Sequence, residues 1–537
     1  MDNRNFILTY DVGTTGLKTC LFTVSDKLQL ISASLAEYPI YLLENGGVEQ
    51  EPDDWWKAMK SSTKEILEKS YVLPNQIRGI SFCSQMQGLV LVDSSFQPVR
   101  RAMSYMDQRA VKEIRKGIQY GFKVEGLNLL KLVLSLVITG AVAGSVKDPL
   151  WKYKWVKANE PENFSRVKWW FDVKEFLIAK CTNQAVMTED SAFATFLFDS
   201  RKGKRTWSNL LIRLFKVNRD HMPPIILSDQ IVGGLTKEAA LELGLEEGTS
   251  VFGGGGDVSM IGVGAGAVEA GDTHVYAGTS GWVSTVTKVR KVDVDARIAS
   301  IVGARPGYYN YFGEQETSGK CLQWVRDHLA LDEIDMYLEK KNITDGLDAV
   351  YESLMEYMFE AIKETPSGSD GVIFAPWLHG NRCPFEDPKA GGIFFNIRLN
   401  TGKRILIRSV MEGILYHKRW ILELSEKKIK TSPTIRFVGG VARSNLVCQT
   451  LADVTGKRVE RVEHPENAGA MGAAALVALG LGYVTSFEEI KNMVPIKDVF
   501  LPNKIHKNIH DRNFKVFKKL YKQNKECFDE LNENNHI

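Results

Sequence analysis

The stretch Asp11-Val12-Gly13-Thr14-Thr15-Gly16 decides how this 537-residue sequence is interpreted. It closes an apolar run over residues 6–12 that has the pattern of a buried strand. Its two glycines permit positive φ and close backbone approach, and successive N–H groups in such a turn form a concave anion site. Hydroxyl groups and one cation follow at Thr14, Thr15 and Lys18. The turn therefore predicts a phosphate site, with an ordinary β-hairpin turn as the alternative.

Asp11 needs a separate role, because a carboxylate repels a phosphate group. A carboxylate at the end of a strand can bind Mg²⁺ or its waters, and the cation then bridges to phosphate oxygens. We therefore predict that Asp11 is a magnesium ligand, directly or through water.

The predicted elements around this turn are mostly strands. Strands are expected at residues 6–12, 19–24 and 30–35, and a helix at residues 53–69 begins with acidic residues that suit the helix dipole. Short strands at residues 77–84 and 88–93 follow, so the order is β-β-β-α-β-β.

The unit of a strand, a glycine turn and a strand occurs a second time, about half a chain later. A strand at residues 273–277 ends in Gly278-Thr279-Ser280-Gly281, and residues 282–286 form the next strand. This echo is what an ancient duplication would leave, and it predicts a domain boundary near residues 253–257. One such turn in each half would hold the tail of a single nucleotide from two sides.

A third glycine motif lies at residues 437–445, with the sequence FVGGVARSN. Bare glycines at Gly439 and Gly440 would let a flat base or a ribose lie against the backbone. A tight strand-to-helix turn explains the same residues equally well.

Asp257 closes the glycine run 253–256 and opens a predicted helix. Near a helix N-terminus a carboxylate is favoured, so its pKa is expected to fall. Asp257 is either an N-cap or a general base that takes a proton from an attacking hydroxyl. Four glycines exceed what a cap requires, which favours the base.

Composition excludes several classes of protein. The hydrophobic fraction is 44% and the charged fraction 25%, and a net charge of +3 is too small at this length to indicate nucleic acid or a membrane surface. Seven cysteines without a C-x-x-C pair predict a reducing compartment and no structural zinc. With no signal peptide, and no apolar run longer than residues 132–144, cytoplasm is the expected location.

Other nucleotide and metal motifs are missing from the sequence. There is no G-x-x-x-x-G-K-[ST] loop, and the glycines at residues 262–266 lack the spacing and the preceding strand of a dinucleotide fingerprint. A P-loop enzyme is thereby excluded and a dehydrogenase is disfavoured. The nine histidines are scattered, and we interpret His221, His274 and His417 as structural.

In combination, the motifs resemble those of the FGGY carbohydrate kinases, which have the actin-like ATPase fold. Residues 11–18 and 278–280 resemble the two phosphate motifs of that family, and residues 439–445 resemble its adenosine motif. DPLWKYKW (148–155) and FAPWLHG (374–380) are similar to family signatures. The resemblance extends to about residue 482.

The resemblance implies an α/β fold with two RNase H-like domains flanking a deep catalytic cleft. The expected domains are residues 1–256, mainly for sugar, and 257–490, mainly for ATP, followed by a peripheral helix and tail at 491–537. Asp257 would be the base and Asp11 would organise Mg²⁺. The residues expected to bind ATP are Gly13, Thr14, Thr15, Lys18, Gly278, Thr279, Gly439, Gly440 and Ser444. A homodimer is a further expectation, since such families often form dimers.

Residues 84–88 and 105–109 are most similar to those of the xylulokinases within the family. The residues expected to contact the sugar are Met86, Gln87, Asp107, Arg109 and Asp257. Gln87 stands where a histidine is typical, Met106 where an asparagine is typical, and Asn381 where a glutamate is common.

These departures lie at the sugar end, and glutamine differs from histidine in reach and donor pattern. D-xylulose is the first candidate substrate. Ribulose, glycerol or erythritol, and a non-catalytic actin-like nucleotide-binding protein, remain alternatives. Residues 132–144 are expected near the sugar because they precede the segment 148–155.

Overall fold

The strand Phe6–Val12 lies inside a seven-stranded sheet. It pairs antiparallel with Gly16–Val24 and parallel with Ile77–Ser84, which places Asp11 opposite Cys83. The protein is described by a computed structural model over residues 5–329 and 355–533. The strands of this first sheet, in spatial order, are Ile231–Gly234, Ser250–Phe252, Ile77–Ser84, Phe6–Val12, Gly16–Val24 and Leu28–Glu37, and Gly255–Gly256 also pairs with Ile77–Ser84.

A second sheet repeats this arrangement. Thr273–Ala277 pairs antiparallel with Gly281–Thr287 across the second glycine turn and parallel with Thr434–Val438. The second sheet, in spatial order, contains Val292–Asp293, Ile298–Val302, Tyr309–Gln315, Gly281–Thr287, Thr273–Ala277, Thr434–Val438, Arg458–Val462 and Ile496–Phe500. The same β-β plus parallel-strand unit therefore occurs twice, as the two glycine turns predicted.

Two helices fill the space between the sheets. Asp257–Gly264 crosses Ala468–Gly480 at paired glycines. A Cβ added at Gly264 would lie 1.8 Å from the carbonyl oxygen of Ala468, and one added at Gly472 would lie 1.9 Å from that of Met260. The backbones are in contact there, so no larger residue fits without moving the helices.

The other face of each sheet is covered by its own helices. Apolar residues of Pro52–Ser70, Val173–Thr182 and Lys237–Leu243 pack on the first sheet. The second sheet is covered by Gly319–Leu329, Lys403–Glu426, Asn445–Thr455 and Lys504–Leu531. Each domain thus has a layered α/β core of the kind that must bury both faces of its sheet.

The remaining elements are short. The further helices are Val111–Gly117, Leu129–Ile138, Pro149–Asn159, Pro161–Ser165, Glu189–Ala194, Asn209–Leu214 and Phe487–Met493. The further strands are Tyr41–Leu42, Val48–Gln50, Val90–Val92, Ala102–Met103, Lys123–Val124, Leu127–Asn128, Trp169–Phe171, Met187–Thr188, Phe198–Asp199, Thr206–Trp207, Ile225–Ile226, Ile373–Ala375 and Ile393–Phe395.

The C-terminal segment is more integrated than its polar sequence predicted. Ile496–Phe500 forms the edge strand of the second sheet by pairing with Arg458–Val462. The helix Lys504–Leu531 is present as expected, but Phe514, Phe517 and Leu520 are buried in the core of the second domain. It packs there because its apolar residues recur at helical spacing and form one face.

Residues 132–138 belong to the helix Leu129–Ile138, whose Leu130 and Val137 are 63% and 50% exposed, while its Ser135 and Ile138 are buried. The expected place of residues 132–144 near the sugar stays a prediction. Arg290 of the second half donates to the carbonyl oxygen of Ile138 at 2.8 Å. In the described part of the chain, no helix has the length and apolarity that a membrane crossing requires. All seven cysteines are free.

Candidate functional site

The run of four glycines before Asp257 is required by close packing. A Cβ at Gly254, which has φ +60°, would lie 2.2 Å from the carbonyl oxygen of Phe82, and one at Gly256 would lie 2.2 Å from Sδ of Met86. The backbone N–H of Gly256 donates to Oδ2 of Asp190 at 2.8 Å. Asp257 then opens its helix, and its Oδ1 accepts the N–H of Val258 at 2.8 Å. The glycines bring this carboxylate into the space between the two sheets.

The pKa of Asp257 moves opposite to the prediction from its helix position. Withdrawal from water raises the pKa to about 7, and the N–H of Val258 offsets only part of this. The negative charges of Asp11, Glu314 and Asp190 raise it further. Burial and like charges therefore outweigh the helix N-terminus, and the carboxyl titrates in the range that suits a general base.

Asp11 lies close to Asp257 and carries a second perturbed carboxyl group. Burial raises its pKa, while the charge of Lys18 lowers it. A Cβ added at Gly469 would lie 3.1 Å from Oδ2 of Asp11, so the carboxylate faces the N-terminal turn of Ala468–Gly480. The charge of Asp11 also raises the pKa of Asp257.

A divalent cation fits this pair of carboxylates, because it would relieve their mutual repulsion. Across residues 5–329 and 355–533, no group of three or more His, Cys, Asp or Glu side chains is arranged to hold a metal ion. With two carboxylates at hand, the remaining ligands of such a cation would be phosphate oxygens and water, as is common for Mg²⁺.

The first glycine turn, residues 11–16, is held by side chains that bond to its carbonyl groups. The hydroxyl of Tyr38 donates to the carbonyl oxygen of Gly13 at 2.6 Å, and Nε2 of Gln50 donates to that of Thr14 at 2.7 Å. The N–H of Gly13 donates to Gly16 within the turn, so Gly13 shapes the turn. Thr15 is exposed.

Lys18 connects the first glycine turn to the second domain. Its Nζ donates to the carbonyl oxygen of Glu466 at 3.4 Å. Glu466 lines a cavity of about 530 Å³ that lies mainly in the second domain. A volume in this range is typical of a small-molecule site.

The walls of that cavity contain four of the predicted nucleotide residues, namely Gly278, Thr279, Gly440 and Ser444. Gln323, Arg326 and Phe359 also line it and had no sequence signal, because they come from helical segments distant in the chain. Ser444 has a second role, since its Oγ accepts the N–H of Val447 and caps Asn445–Thr455.

The two glycines of the third motif have different roles. Gly440 has open space where a Cβ would stand, and it lines the cavity. Gly439 does not line it: its φ is +98°, and a Cβ there would lie 2.4 Å from the carbonyl oxygen of Ala277. Gly439 therefore permits the close approach of two backbones, which agrees with the alternative that this motif is a tight strand-to-helix turn.

At the predicted sugar end, Met86 lies beside the residue that precedes Asp257, and Gln87 follows it in a tight turn. Met86 packs against Gly256, the residue before Asp257. The backbone of Gln87 has φ +63° and is fixed on both sides, since its N–H donates to Asp172 at 2.9 Å and its carbonyl accepts from Lys152 at 2.6 Å. Lys152 and Asp172 thus hold this turn and were not predicted from the sequence.

Asp107 and Arg109 bind each other. Nη2 of Arg109 lies 2.7 Å from Oδ2 of Asp107 and 2.7 Å from Oε1 of Glu49, and its guanidinium stacks 4.4 Å from the ring of Trp155. Asp107 has no exposed surface and also accepts the N–H of Val48 at 2.9 Å. The structure therefore places both charges in a buried network in the wall of the first domain.

Sequence comparison identifies the family of this two-domain arrangement. The model of the N-terminal domain of the FGGY family of carbohydrate kinases matches residues 6–264, and that of the C-terminal domain matches residues 274–481. The chain belongs to the FGGY family of carbohydrate kinases. The predicted family and the actin-like two-domain fold are therefore confirmed.

Several relatives of this FGGY kinase span its whole length. The xylulose kinase of Staphylococcus epidermidis is 28% identical over 98% of this chain and 99% of its own, and that of Bacillus subtilis is 27% identical over 97% of each. The gluconokinase of Bacillus subtilis is 26% identical over 91% of this chain and 90% of its own. Relatives that are named for two different substrates therefore resemble this chain to a similar degree.

Solved structures show the same fold. A ligand-bound xylulose kinase from Lactobacillus acidophilus has a TM-score of 0.83 at 22% identity, covering 98% of this chain and 100% of its own. A gluconate kinase from Lactobacillus acidophilus has a TM-score of 0.82 at 21% identity with the same coverage. The boundary predicted between residues 256 and 257 stays a prediction, because Asp257–Gly264 packs in the core that joins both sheets.

The FGGY kinase has a further charged cluster in its second domain, formed by Arg382, Glu314 and Glu316. Arg382 donates to Oε2 of Glu314 at 2.9 Å and also forms an ion pair with Glu316. The negative charge of Glu314 contributes to the raised pKa of Asp257, so the two carboxyl groups interact electrostatically. No sequence motif indicated these ion pairs, because the strand that carries Glu314 and the loop that carries Arg382 meet only in the folded protein.

Proposed function

We propose that this FGGY kinase transfers the γ-phosphoryl group of ATP to a hydroxyl of D-xylulose and forms D-xylulose 5-phosphate. The observation that carries the proposal is the carboxyl of Asp257, whose pKa is about 7 and which lies near Asp11 between the two sheets. Relatives named xylulose kinase support the sugar.

In this proposal Asp257 acts as the general base. Above pH 7 its carboxylate is ionised and takes the proton from the attacking hydroxyl as the phosphoryl group is transferred. The hydrogen bond from Val258 and the packing of Gly256 hold the carboxylate in one orientation. Such positioning supplies much of the catalysis in phosphoryl transfer.

The nucleotide would lie in the cavity of the second domain, with its phosphates toward the first glycine turn. Gly278, Thr279, Gly440 and Ser444 line that cavity. Thr14, Thr15 and Lys18 would approach the phosphates from the first domain, and Lys18 already reaches the cavity wall at Glu466. Asp11 would hold Mg²⁺, directly or through water, and the cation would supply charge neutralisation at the phosphates.

A neutral ketose fits the charges of the sugar end better than an aldonate. Arg109 is already paired with Asp107 and Glu49. Arg382 is already paired with Glu314 and Glu316. Both guanidinium groups are therefore neutralised by carboxylates, which disfavours recruitment of a further carboxylate from gluconate. Ribulose, glycerol and erythritol are also neutral and stay in the substrate screen.

A coupled assay of ADP release with a panel of sugars tests the proposal. D-xylulose is expected to give the highest kcat/KM among ketoses, polyols and gluconate. Asp257→Asn should lower sugar-dependent turnover by about 10²–10⁴-fold, because the base is lost, while ATP binding persists. Asp26→Asn, at an exposed turn of the first domain, is the matched control and should keep wild-type turnover.

Three outcomes would contradict parts of this proposal. Unchanged turnover in Asp257→Asn would remove the base assignment. Activity with gluconate or a polyol but not with D-xylulose would change the substrate and leave the kinase. ATP binding without ADP release on any sugar would favour the non-catalytic nucleotide-binding alternative.

A further inference from the structure

Lys418 lies beneath the second glycine turn, residues 278–281, and has no part in the mechanism above. It belongs to the helix Lys403–Glu426, and only 1% of its surface is exposed. Its Nζ donates to the carbonyl oxygen of Tyr276 at 2.8 Å. A Cβ added at Gly281 would lie 2.3 Å from this Nζ. The ammonium therefore occupies the space that a side chain at Gly281 would need.

The wall in front of this ammonium belongs to the nucleotide cavity. The N–H of Gly319 donates to the carbonyl oxygen of Gly278 at 2.7 Å, which joins the start of Gly319–Leu329 to the turn. Gly278, Thr279 and Gly319 all line the cavity. Lys418 thus contacts the same turn whose Gly278 and Thr279 line the cavity.

No carboxylate of residues 5–329 and 355–533 forms an ion pair with Lys418. Its hydrogen-bond partner there is the carbonyl oxygen of Tyr276. Two neighbouring polar groups, Oγ of Ser318 and the side-chain amide of Gln315, are also buried without a hydrogen-bond partner in that part of the chain. A buried cation is unfavourable unless an anion or several acceptors stabilise it.

The environment of Lys418 has a measurable consequence for its protonation. Burial lowers the pKa of Lys418 to about 7. The titratable groups facing it are Cys321 of Gly319–Leu329, whose pKa is raised to about 12, and Tyr276, whose pKa is also raised, so both are neutral near pH 7. His417, adjacent on the same helix, has its pKa lowered to about 4 and is neutral as well.

We propose that Lys418 is a positioning residue that stabilises the nucleotide phosphates through the second glycine turn, so that phosphate binding and protonation of Lys418 favour each other. The inference rests on the proposed nucleotide site. The anion missing from the protein is supplied by the ligand. By reciprocity, bound phosphates raise the pKa of Lys418, and the protonated lysine raises phosphate affinity by the same factor.

In this proposal the affinity for ADP falls as pH rises, because Lys418 of the free protein loses its proton. Well below pH 7 the lysine of the free protein is already protonated, so ADP binds tightly and Lys418 takes up no proton. Above pH 7 the free protein has lost this proton, so binding takes one up and the affinity falls as pH rises. Well above the pKa of the bound state, the lysine contributes nothing.

The experiment is calorimetric titration with ADP and with adenosine between pH 6.5 and 9. In the wild type, proton uptake measured in buffers of different ionisation enthalpy should be larger at pH 8 than at pH 6.5, and it should exceed that of Lys418→Met at pH 8. Lys418→Met should weaken ADP binding by about tenfold at pH 6.5 and progressively less at higher pH. Its affinity for adenosine, which has no phosphate, should equal that of the wild type.

Lys154→Met is the matched control. Lys154 also donates to a single carbonyl oxygen, that of Phe215 at 2.7 Å, and burial lowers its pKa to about 8. It lies in Pro149–Asn159 of the first domain, so its replacement should change ADP affinity at no pH.

The outcomes separate this inference from the proposed function. An equal loss of ADP and adenosine affinity, or an ADP ratio independent of pH, would overturn the role of Lys418 and leave the kinase intact. If Lys418→Met does not fold, the wild-type proton uptake decides, and its absence at pH 8 overturns the inference. Failure of the wild type to bind ADP would overturn the nucleotide site and the inference together.

Discussion

Oδ2 of Asp190 accepts the backbone N–H of Gly256 at 2.8 Å, one residue before Asp257. Its other oxygen accepts the hydroxyl of Thr188 at 2.5 Å, and Thr188 in turn accepts Nζ of Lys174 at 2.6 Å. All of these side chains are buried. A continuous chain of hydrogen bonds thus fixes the peptide that leads into Asp257.

Two replacements of Asp190 distinguish the effect of its negative charge from that of its hydrogen bond to Gly256. Asp190→Asn keeps an acceptor for Gly256 but removes one of the negative charges that raise the pKa of Asp257. Because activity requires the ionised base, the acidic limb of kcat/KM should lie near pH 7 in the wild type. It should move down by roughly half a unit in Asp190→Asn.

Asp190→Ala should instead lower kcat about tenfold or more, because the peptide before Asp257 loses its acceptor. The measurement is the pH profile of kcat/KM for the sugar. Asp220→Asn, exposed in the first domain, should leave the profile unchanged. An identical acidic limb in Asp190→Asn would show that its charge does not act on the base.

Two glycine substitutions should each raise the KM of a different substrate. In Gly256→Ala the new Cβ displaces Met86, whose Sδ would lie 2.2 Å away. We expect the KM for the sugar to rise about tenfold, with less change for ATP.

In Gly440→Ala the Cβ meets no protein atom within 4 Å and enters the cavity of the second domain, where we propose that the nucleotide binds. The KM for ATP should rise there, with the sugar KM unchanged. Steady-state kinetics with each substrate varied in turn checks both, and equal effects on both substrates in either variant would contradict the assignment.

Asp11→Asn should change the dependence on Mg²⁺. The variant retains size and polarity but loses the charge that attracts the cation. The Mg²⁺ concentration for half-maximal rate should rise, and kcat should fall, each by about 10–100-fold. Titration of the rate with Mg²⁺ after removal of metal by a chelator measures both, and an unchanged Mg²⁺ requirement would argue for another ligand.

The C-terminal helix should contribute strongly to stability. Phe517 has no exposed surface and packs in the core of the second domain, so Phe517→Ala should lower the free energy of unfolding by about 3–5 kcal/mol. Lys522→Ala, exposed on the same helix, is the control and should change it by less than about 0.5 kcal/mol. Urea denaturation distinguishes the two, and equal midpoints would mean that the helix is detached in solution.

Short-range sequence signals were sufficient for much of the fold. The strands Phe6–Val12, Ile77–Ser84 and Thr273–Ala277 lie where apolar runs predicted them. The second glycine turn and Gly440 also line the cavity. These features depend on local periodicity and on backbone freedom at glycine, which act over a few residues.

Other properties depended on contacts between distant residues. The pKa of Asp257 was expected to fall, yet burial and the charges of Asp11, Glu314 and Asp190 raise it. Gly439 faces Ala277 and not the cavity. The C-terminal helix was expected to be peripheral, yet Phe517 reaches the core.

The sequence by itself determined the two glycine turns, the paired strands that flank each turn, the family resemblance and Asp257 as the candidate base. It missed the short strands Tyr41–Leu42 and Val48–Gln50, which precede the first helix. Only the tertiary structure decided the protonation of that base, the pairing of Arg109 with Asp107 and the position of Lys418 beneath Gly281. The reason is physical: a local motif sets the conformation of a few residues. Burial and electrostatic interactions are set by whichever side chains the fold brings together.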